Sequence, residues 1–527
     1  MNTTRVIIIG GGVGGLAAAI RLACAGCSVS LFEKNQRVGG KLHLWTAAHP
    51  NRPDDRPFRF DTGPSLLTLP FVFDDLFRVA GKDLKGSLSI QPLDPIARFT
   101  WADGQRFELA ADRATRLENV RRFAPGDVEG FDRFLRRGEE IWNRAGEMFL
   151  FNSPEQLMNA PGRTPLDGLK MLAVPFQIGM FQRYRVMVDR HVRHPRLREV
   201  LYQYATYSGA SPFKAPATLG VIPFAEMHFG GWYVEGGMYR LAEALEQLAG
   251  EAGATIRTGV AVERILVERA GTARRVRGVR LADGTEVEAD VVLCNSDVVY
   301  SYRSLIDPEH RPHFADAKLD RLEPGGSGMV LLLGVEGTYP QLAHHTKFMP
   351  EDYRSDLRAM FETLSVPADP CLYVCATTRT DPSQAPAGCE NLFVLCSAPP
   401  LTAKLDWAIE GRRYREQVVR TLEERFGLEG LSRRIVVERT ITPRELQSLY
   451  NANAGSIYGI SSNSLRTAFL RPPNRDKQIS GLYFAGGATH PGGGLPLVAL
   501  SGKIASELIL EDVGQPQMAQ TTQMKTG

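Results

Sequence analysis

A chain of 527 residues is longer than one ordinary hydrophobic core supports, so two domains are expected. With 43% hydrophobic and 23% charged residues its composition is that of a globular protein, which excludes a disordered chain. Lys plus Arg number 62 against 59 for Asp plus Glu, and a net charge of +3 gives no case for nucleic acid as a partner; RYRVMVDRHVRHPRLRE (183–199) is the best candidate for a local basic patch.

The N-terminal forty residues form one unit. RVIIIG (5–10) reads as a strand buried on both faces. Gly10, Gly12 and Gly15 follow as G-x-G-x-x-G, then GLAAAIRLACAG (15–26) with helix-forming composition, then SVSLFEK (28–34) as a second strand carrying Glu33. Strand, glycine turn, helix, strand and a delayed acid make the complete dinucleotide-binding unit. Gly10 permits the turn, Gly12 lets backbone approach a pyrophosphate, and Gly15 lets the helix pack on the strand. The helix N-terminus offers free N–H groups and positive dipole to phosphates, and Glu33 is placed to accept hydrogen bonds from a ribose. Cys24 and Cys27 have C-x-x-C spacing but no second pair nearby, and Cys371, Cys375, Cys389 and Cys396 show no ligand spacing, so packing thiols and no metal site are expected. The odd count of seven cysteines suggests a reducing, cytoplasmic compartment.

Next come RVGGK (37–41) and FRFDTGPSLLTLP (58–70). Gly40 and Lys41 fall where a glycine pair and a cation can approach phosphate; Gly63 and Pro64 bring backbone close to a flat ring, and Asp61 is expected to brace a glycine turn. LKMLAVPFQIGMFQRYR (169–185) sets Met, Phe, Leu and Val beside Arg183 and Arg185, which suits either a helix lying in a lipid interface or an amphipathic helix on the core. FKAPATLGVIPFAEMHFGGWY (213–233), broken by Pro216 and Pro223, reads as pocket wall. GTEVEADVVLCNSD (284–297) reads as a hairpin strand leading into a core strand that ends at Asn295. His344 and His345 are adjacent, and on a strand adjacent side chains point to opposite faces, so at most one is expected to face a pocket. GGATHPGGGLPLVALSG (486–502) places six glycines and two prolines ahead of a helix expected from Leu497 onward. The tail, 514–527, is polar and expected to be disordered. The chain has no run of eighteen or more apolar residues without charges, so a membrane-spanning helix is not expected.

RVGGK just past Glu33 resembles the extended ADP-binding signature of the glutathione-reductase-like flavoproteins, which points to FAD. The wider pattern is more specific. The paired signatures through FEKNQRVGGK and FDTGPSLLTLP, with GGMYRLAEALEQLA (236–249), LAHHTKFM (342–349), TDPSQAPAGCENLFVL (380–395), GSIYG (455–459), FLRPPNRD (469–476) and GGATHPGGGLPLV, are similar to the carotenoid desaturases of the bacterial phytoene-desaturase type. The likeness runs in order from residue 5 to about 510.

That resemblance implies an α/β fold shared with the flavin amine oxidases: a discontinuous Rossmann-like FAD domain (1–100, 230–300 and 475–513) with an inserted α+β substrate and membrane-facing domain (101–229 and 301–474). It implies that the segment TGVAVERI meets the adenine near Val262. Gly486, Gly487, Leu497 and Val498 are expected to lie along the pyrophosphate and flavin ring. Gly487 stands where amine oxidases usually carry an acid, which argues against an amine oxidase. His490 in this segment and Glu235 in YVEGGMY are the candidate catalytic residues. The expected activity is desaturation of a linear carotenoid at a membrane surface, with quinone or oxygen as electron acceptor. A hydrocarbon offers no polar handle, so no triad is expected, and none occurs. Oxidation of a terminal methyl group is the alternative within the family. Another enzyme of the amine-oxidase fold, or an isoprenoid-binding escort protein without catalysis, are the alternatives outside it.

Overall fold

The computed structural model describes residues 3–159, 174–402, 404–464 and 471–515. Its first sheet is wholly parallel and has five strands, in the order Leu482–Phe484, Val291–Cys294, Arg5–Ile9, Ser28–Glu33 and Thr255–Thr258. The short apolar run at the N-terminus forms the central strand because both of its faces are covered. Val6 and Ile8 pack into one core with the first helix, while Ile7 and Ile9 pack into another with Val262, Val279 and Tyr302. The strands on either side of Arg5–Ile9 belong to different parts of the chain, so a crevice opens beyond Ile9 and Cys294, where such sheets bind their ligands.

The first helix, Val13–Cys24, is buried from Val13 to Ala23. It tolerates this because its residues are small and the last helix, Leu495–Asp512, packs directly on it. A Cβ at Gly502 would come within 3.1 Å of the Ala17 Cβ and overlap the Gly14 carbonyl. That last helix starts at Leu495, two residues earlier than expected, with Pro496 in its first turn, where a missing N–H costs nothing. At its far end the Gln515 N–H donates to Leu510 O at 2.9 Å, so residues 514 and 515 of the expected tail belong to the helix cap; residues 516–527 lie outside the described set.

The second large sheet has seven strands, in the order Ile435–Ile441, Ser327–Glu336, Cys389–Ala398, Leu372–Cys375, His345–Phe348, Ala97–Thr100 and Arg106–Leu109. All its pairings are antiparallel except that of His345–Phe348 with Ala97–Thr100. The expected boundary between 100 and 101 is therefore misplaced. It would cut the hairpin in which Ala97–Thr100 pairs with Arg106–Leu109, and both strands belong to this sheet. A smaller sheet is formed by Val262–Ala270, Ala273–Leu281 and Glu286–Glu288, joined by Ile479–Ser480, and Glu286–Glu288 is a hairpin strand within the segment 284–297 where one was expected. No helix among the described residues is long and apolar enough to cross a membrane.

Candidate functional site

A cavity of about 610 Å³ runs from the glycine turn at the end of the first strand to the face of the seven-stranded sheet. Gly10, Gly12, Glu33, Gly40, Lys41, Gly63, Pro64, Val262, Gly486, Gly487, Leu497 and Val498 all line it. Gly15 does not, and its reason is packing. A Cβ there would overlap the Gly10 carbonyl and stand 3.0 Å from Asn295 Nδ2.

The cradle follows from backbone geometry. Gly10 has φ of +100°, which turns the chain out of the strand and into the helix. Gly12 is the helix N-cap and provides no side-chain cap, so the first-turn N–H groups face the cavity. The Gly40 Cα lies against Gly12, and Gly39 N–H donates to Gly11 O at 2.8 Å, closing the wall. Glu33 is buried; one oxygen accepts from Gly11 N–H at 2.7 Å and the other from Asn35 N–H at 2.8 Å. These bonds fix the carboxylate at the lip and leave it lone pairs for a hydroxyl. On its other side Val260 N–H donates to Glu33 O at 2.9 Å, which brings 260–262 into the same wall.

Lys41 lines the cavity and is tied to the protein by two of its three donors. Its Nζ donates to the carbonyls of Ser456 at 2.9 Å and Ile457 at 2.6 Å. Desolvation lowers its pKa to about 8, opposed by the nearby Asp297, whose own pKa burial raises. The lysine therefore ties the RVGGK segment to GSIYG. GSIYG in turn stacks on the late glycine segment: a Cβ at Gly459 would stand 2.9 Å from the Ala488 Cα, and one at Gly493 would stand 3.1 Å from Tyr458 O. Gly486, with φ of +107°, donates its N–H to Ser501 Oγ at 3.1 Å. Gly63 is required by contact, since a Cβ there would overlap the Lys41 carbonyl.

The two candidate catalytic residues lie elsewhere. His490 is buried outside the cavity lining, its Nε2 2.9 Å from Asn152 O, and desolvation lowers its pKa to about 4. The turn that puts Gly486 and Gly493 on the cavity points this ring the opposite way. Glu235 is exposed and also outside the lining, because the Gly236–Gly237 turn directs it to the surface. Asp61 braces that second turn: its carboxylate accepts from Met238 N–H at 2.8 Å and Tyr239 N–H at 2.9 Å, and burial raises its pKa to about 6.

The two adjacent histidines depart from strict alternation. Their rings are 4.5 Å apart and both are buried, since the strand begins at His345 and His344 lies before it. His345 alone lines the cavity. Cys375 joins them from the neighbouring strand, so that ligand-type atoms of the three lie within 4.8 Å of one another, a proximity that sequence spacing did not announce.

The uncapped helix N-terminus, the glycine walls that a Cβ would fill and the anchored Glu33 fit a dinucleotide pyrophosphate and ribose. Residues 13–510 match the family of flavin containing amine oxidoreductases. The chain belongs to this family. It is 38% identical over 516 residues to a 4,4'-diapolycopene oxygenase from Methylomonas sp, covering 97% of this chain and 99% of that one. It is 35% identical over 507 residues to a zeta-carotene-forming phytoene desaturase from Myxococcus xanthus, covering 96% and 94%. The solved structure of cyclohexylamine oxidase from Brevibacterium oxydans shares the fold, with a TM-score of 0.58, 15% identity and coverage of 97% and 100%. The protein is thus an oxidoreductase with a flavin cofactor.

Within the flavin site of this amine oxidoreductase relative, sequence reasoning missed Asn295. Its Nδ2 donates to Gly10 O at 3.1 Å, and Cβ atoms added at Gly12, Gly14, Gly15 or Gly486 would all meet it. It locks the first turn to the late segment. The available signal was its position just beyond the strand next to Arg5–Ile9 in a parallel sheet. Arg471 was also missed: buried, it donates to Ser462 Oγ at 2.9 Å and Gly487 O at 3.3 Å, and desolvation brings its pKa down to about 10.

Proposed function

We propose that the protein is an FAD-dependent oxidoreductase of a linear carotenoid. The observation that carries this reading is the continuity of one cavity from the dinucleotide cradle into an apolar chamber walled by Leu66, Leu69, Ile96, Ile222, Met360 and Phe361. A long hydrocarbon needs such a wall, because shape and burial are its only means of recognition. The relatives act on carotenoids by name, which supports the same substrate class.

When bound, FAD would supply the two-electron acceptor for the oxidation, with quinone or oxygen as the final acceptor. The protein's part is placement. Gly10, Gly12 and the first-turn N–H groups would hold the pyrophosphate, Glu33 the ribose and Val262 the adenine. Gly63, Pro64, Gly486, Gly487, Leu497 and Val498 flank the ring, and the apolar wall keeps water from the reacting carbon.

The substrate resides in a bilayer, so the reading includes docking on a membrane surface. The support is Phe176 and Phe181, which are 74% and 61% exposed with ring centroids 5.0 Å apart. Exposed Arg183 and Arg185 adjoin them. This surface leads toward the chamber: Gln182 O accepts from Ala217 N–H at 2.7 Å, and the helix Val221–Phe229 contributes Val221, Ile222 and Ala225 to the cavity wall. Residues 169–173 of the expected interfacial segment lie outside the described set.

Two reactions are open to this arrangement, desaturation and oxidation of a terminal methyl group, and the 38% identity to an oxygenase favours carrying both. Mass analysis of products decides between them. FAD-loaded protein in liposomes receives linear carotenes, in air and anaerobically with a quinone. Loss of two hydrogens with either acceptor establishes a desaturase; gain of oxygen at a chain end, only in air, establishes a terminal oxygenase. No conversion of any carotene, with flavin bound, overturns the substrate assignment.

A further inference from the structure

One wall of the apolar chamber is charged. Lys347, Glu226, Gln203 and His345 are each under 7% exposed, and all four line the cavity. They come from three elements. His345 and Lys347 are two apart on the strand His345–Phe348 and so share a face. Glu226 belongs to the helix Val221–Phe229, and Gln203 with Tyr207 to the turn Gln203–Ser208.

The sheet register explains how a lysine survives there. Lys347 stands between Phe99 and Tyr373, its direct neighbours on the two flanking strands. Its Nζ lies 5.8 Å from each of those ring centroids and 4.8 Å from that of Tyr207. It donates to Gln203 Oε1 and, at 3.3 Å, to Tyr207 OH. Glu226 accepts from Tyr204 OH at 2.6 Å through one oxygen; its other oxygen is buried without a hydrogen bond of good geometry, with the Tyr207 hydroxyl as the nearby donor to the same carboxylate. His345 is likewise half-satisfied: Nδ1 meets Tyr373 OH at 2.6 Å, while Nε2 is buried without a partner. Unpartnered polar atoms in a low-dielectric wall are costly, and a pure hydrocarbon returns nothing to them.

We infer that Lys347, Glu226 and His345 form a polar subsite that recognises an oxygen-bearing end of the polyene, a hydroxyl or an aldehyde, and so set substrate specificity. A terminal hydroxyl donates to the open Glu226 oxygen and accepts from His345 Nε2, and a carbonyl oxygen accepts from Lys347. The subsite lies at the reacting end of the chamber. Ser65 Oγ, next to Gly63 and Pro64, is 2.6 Å from Tyr373 OH, the same hydroxyl that meets His345. An oxygenated end seated there lies beside the ring-flanking loop, which is where a chain terminus must be for repeated oxidation of one carbon. The inference rests on the carotenoid reading above.

The test uses FAD-loaded protein without oxygen and three probes: 4,4'-diapolycopene, and the same chain with one terminal hydroxyl or one terminal aldehyde. Dissociation constants are measured from the polyene absorbance retained by the protein. The wild type is expected to bind the oxygenated probes about ten- to a hundredfold more tightly than the hydrocarbon, the range of one or two hydrogen bonds to charged groups. Lys347→Met is expected to lose the preference for the aldehyde and Glu226→Gln that for the hydroxyl. Both should keep wild-type flavin content and hydrocarbon affinity, and Lys347→Arg should restore part of the aldehyde preference. If Lys347→Met fails to fold, the isosteric Glu226→Gln still decides. Equal affinities in the wild type, or preferences unchanged in the variants, overturn the subsite. Binding of none of the three probes by flavin-loaded wild type overturns the carotenoid reading, and the subsite with it.

Discussion

Replacing Gly12 and Gly15 by alanine, one at a time, separates holding the flavin from holding the fold. Gly12 has φ of −68° and ψ of 170°, a backbone any residue adopts, and its added Cβ would meet only Asn295 Nδ2 at 3.0 Å and the Gly40 Cα at 4.0 Å. Asn295 can swing away at the cost of its bond to Gly10 O, about 1 kcal/mol. The remaining space that the methyl fills is the cavity itself, where a pyrophosphate must touch backbone. Displacing it from two charge-assisted N–H bonds costs about 3–6 kcal/mol, so FAD affinity should fall by roughly a hundredfold or more. Gly15→Ala instead drives a methyl into the Gly10 carbonyl and to 3.3 Å from the Asn295 Cβ, with no route of relief except moving the helix. Overpacking against backbone sits at the upper end of its range, about 3 kcal/mol, or roughly 3 °C in apparent melting temperature for a chain of this length. Flavin titration and thermal melting of the apoprotein report both quantities. A Gly12→Ala protein that binds FAD like the wild type, or one that loses flavin only in proportion to a Gly15-like loss of stability, refutes this division of roles.

Three further outcomes are expected. Lys41→Met removes two charged-donor bonds to Ser456 and Ile457, costing about 3–6 kcal/mol in denaturant melts and loosening flavin binding about tenfold or more; unchanged flavin titration would detach the GSIYG segment from the site. His344 is held neutral with a pKa of about 4 against an ordinary 6.5, so its contribution is complete above pH 6.5 and is lost as pH falls toward 4. His344→Gln should therefore gain about 2 kcal/mol relative to the wild type between pH 7 and pH 5, and a pH-independent difference would contradict the assignment. His490→Gln should keep wild-type flavin content and turnover while losing about 1 kcal/mol of stability with the bond to Asn152; a tenfold fall in kcat with full flavin would return it to the catalytic set.

The cradle was legible because each of its residues is dictated locally. A strand, a glycine turn and a helix are contiguous in sequence, so Gly10, Gly12 and Glu33 could be assigned tasks before any fold was known. The late segment was legible for a related reason: glycine at 486 and 493 marks where backbone must come close to something. Side-chain direction was not legible. His490 sits between two cavity-lining glycines, yet its ring turns to Asn152, and Glu235 is turned outward by the two glycines that follow it. Of His344 and His345 only the second lines the cavity, in keeping with the expectation that at most one would face a pocket, but their rings still lie together because the strand begins only at His345. Asn295 and Lys347 escaped because their partners lie hundreds of residues away, at Gly10, and on strands that only the sheet register places beside them, at Phe99 and Tyr373.

That same register bears on how one fold serves different substrates. The cradle is built at the carboxyl edge of the parallel sheet, with its critical contacts between backbones: Gly12 against Gly40, Gly459 against Ala488, Gly493 against Tyr458. The facing wall is built by side chains of the seven-stranded sheet, with His345, Lys347, Tyr373, Phe393 and Leu395 all reaching the cavity. Substitution on that face alters what the chamber prefers while leaving the backbone contacts of the glycine cradle in place, since a side chain such as Tyr373 meets the cradle loop through a single hydrogen bond, that to Ser65. A cradle made of backbone also places few demands on side-chain identity, which accounts for a fold shared with an amine oxidase at 15% identity. Chemistry in this chain is therefore to be sought where side chains, and not glycines, meet the cavity, and among the described residues of the seven-stranded sheet the charged side chain on that wall is Lys347.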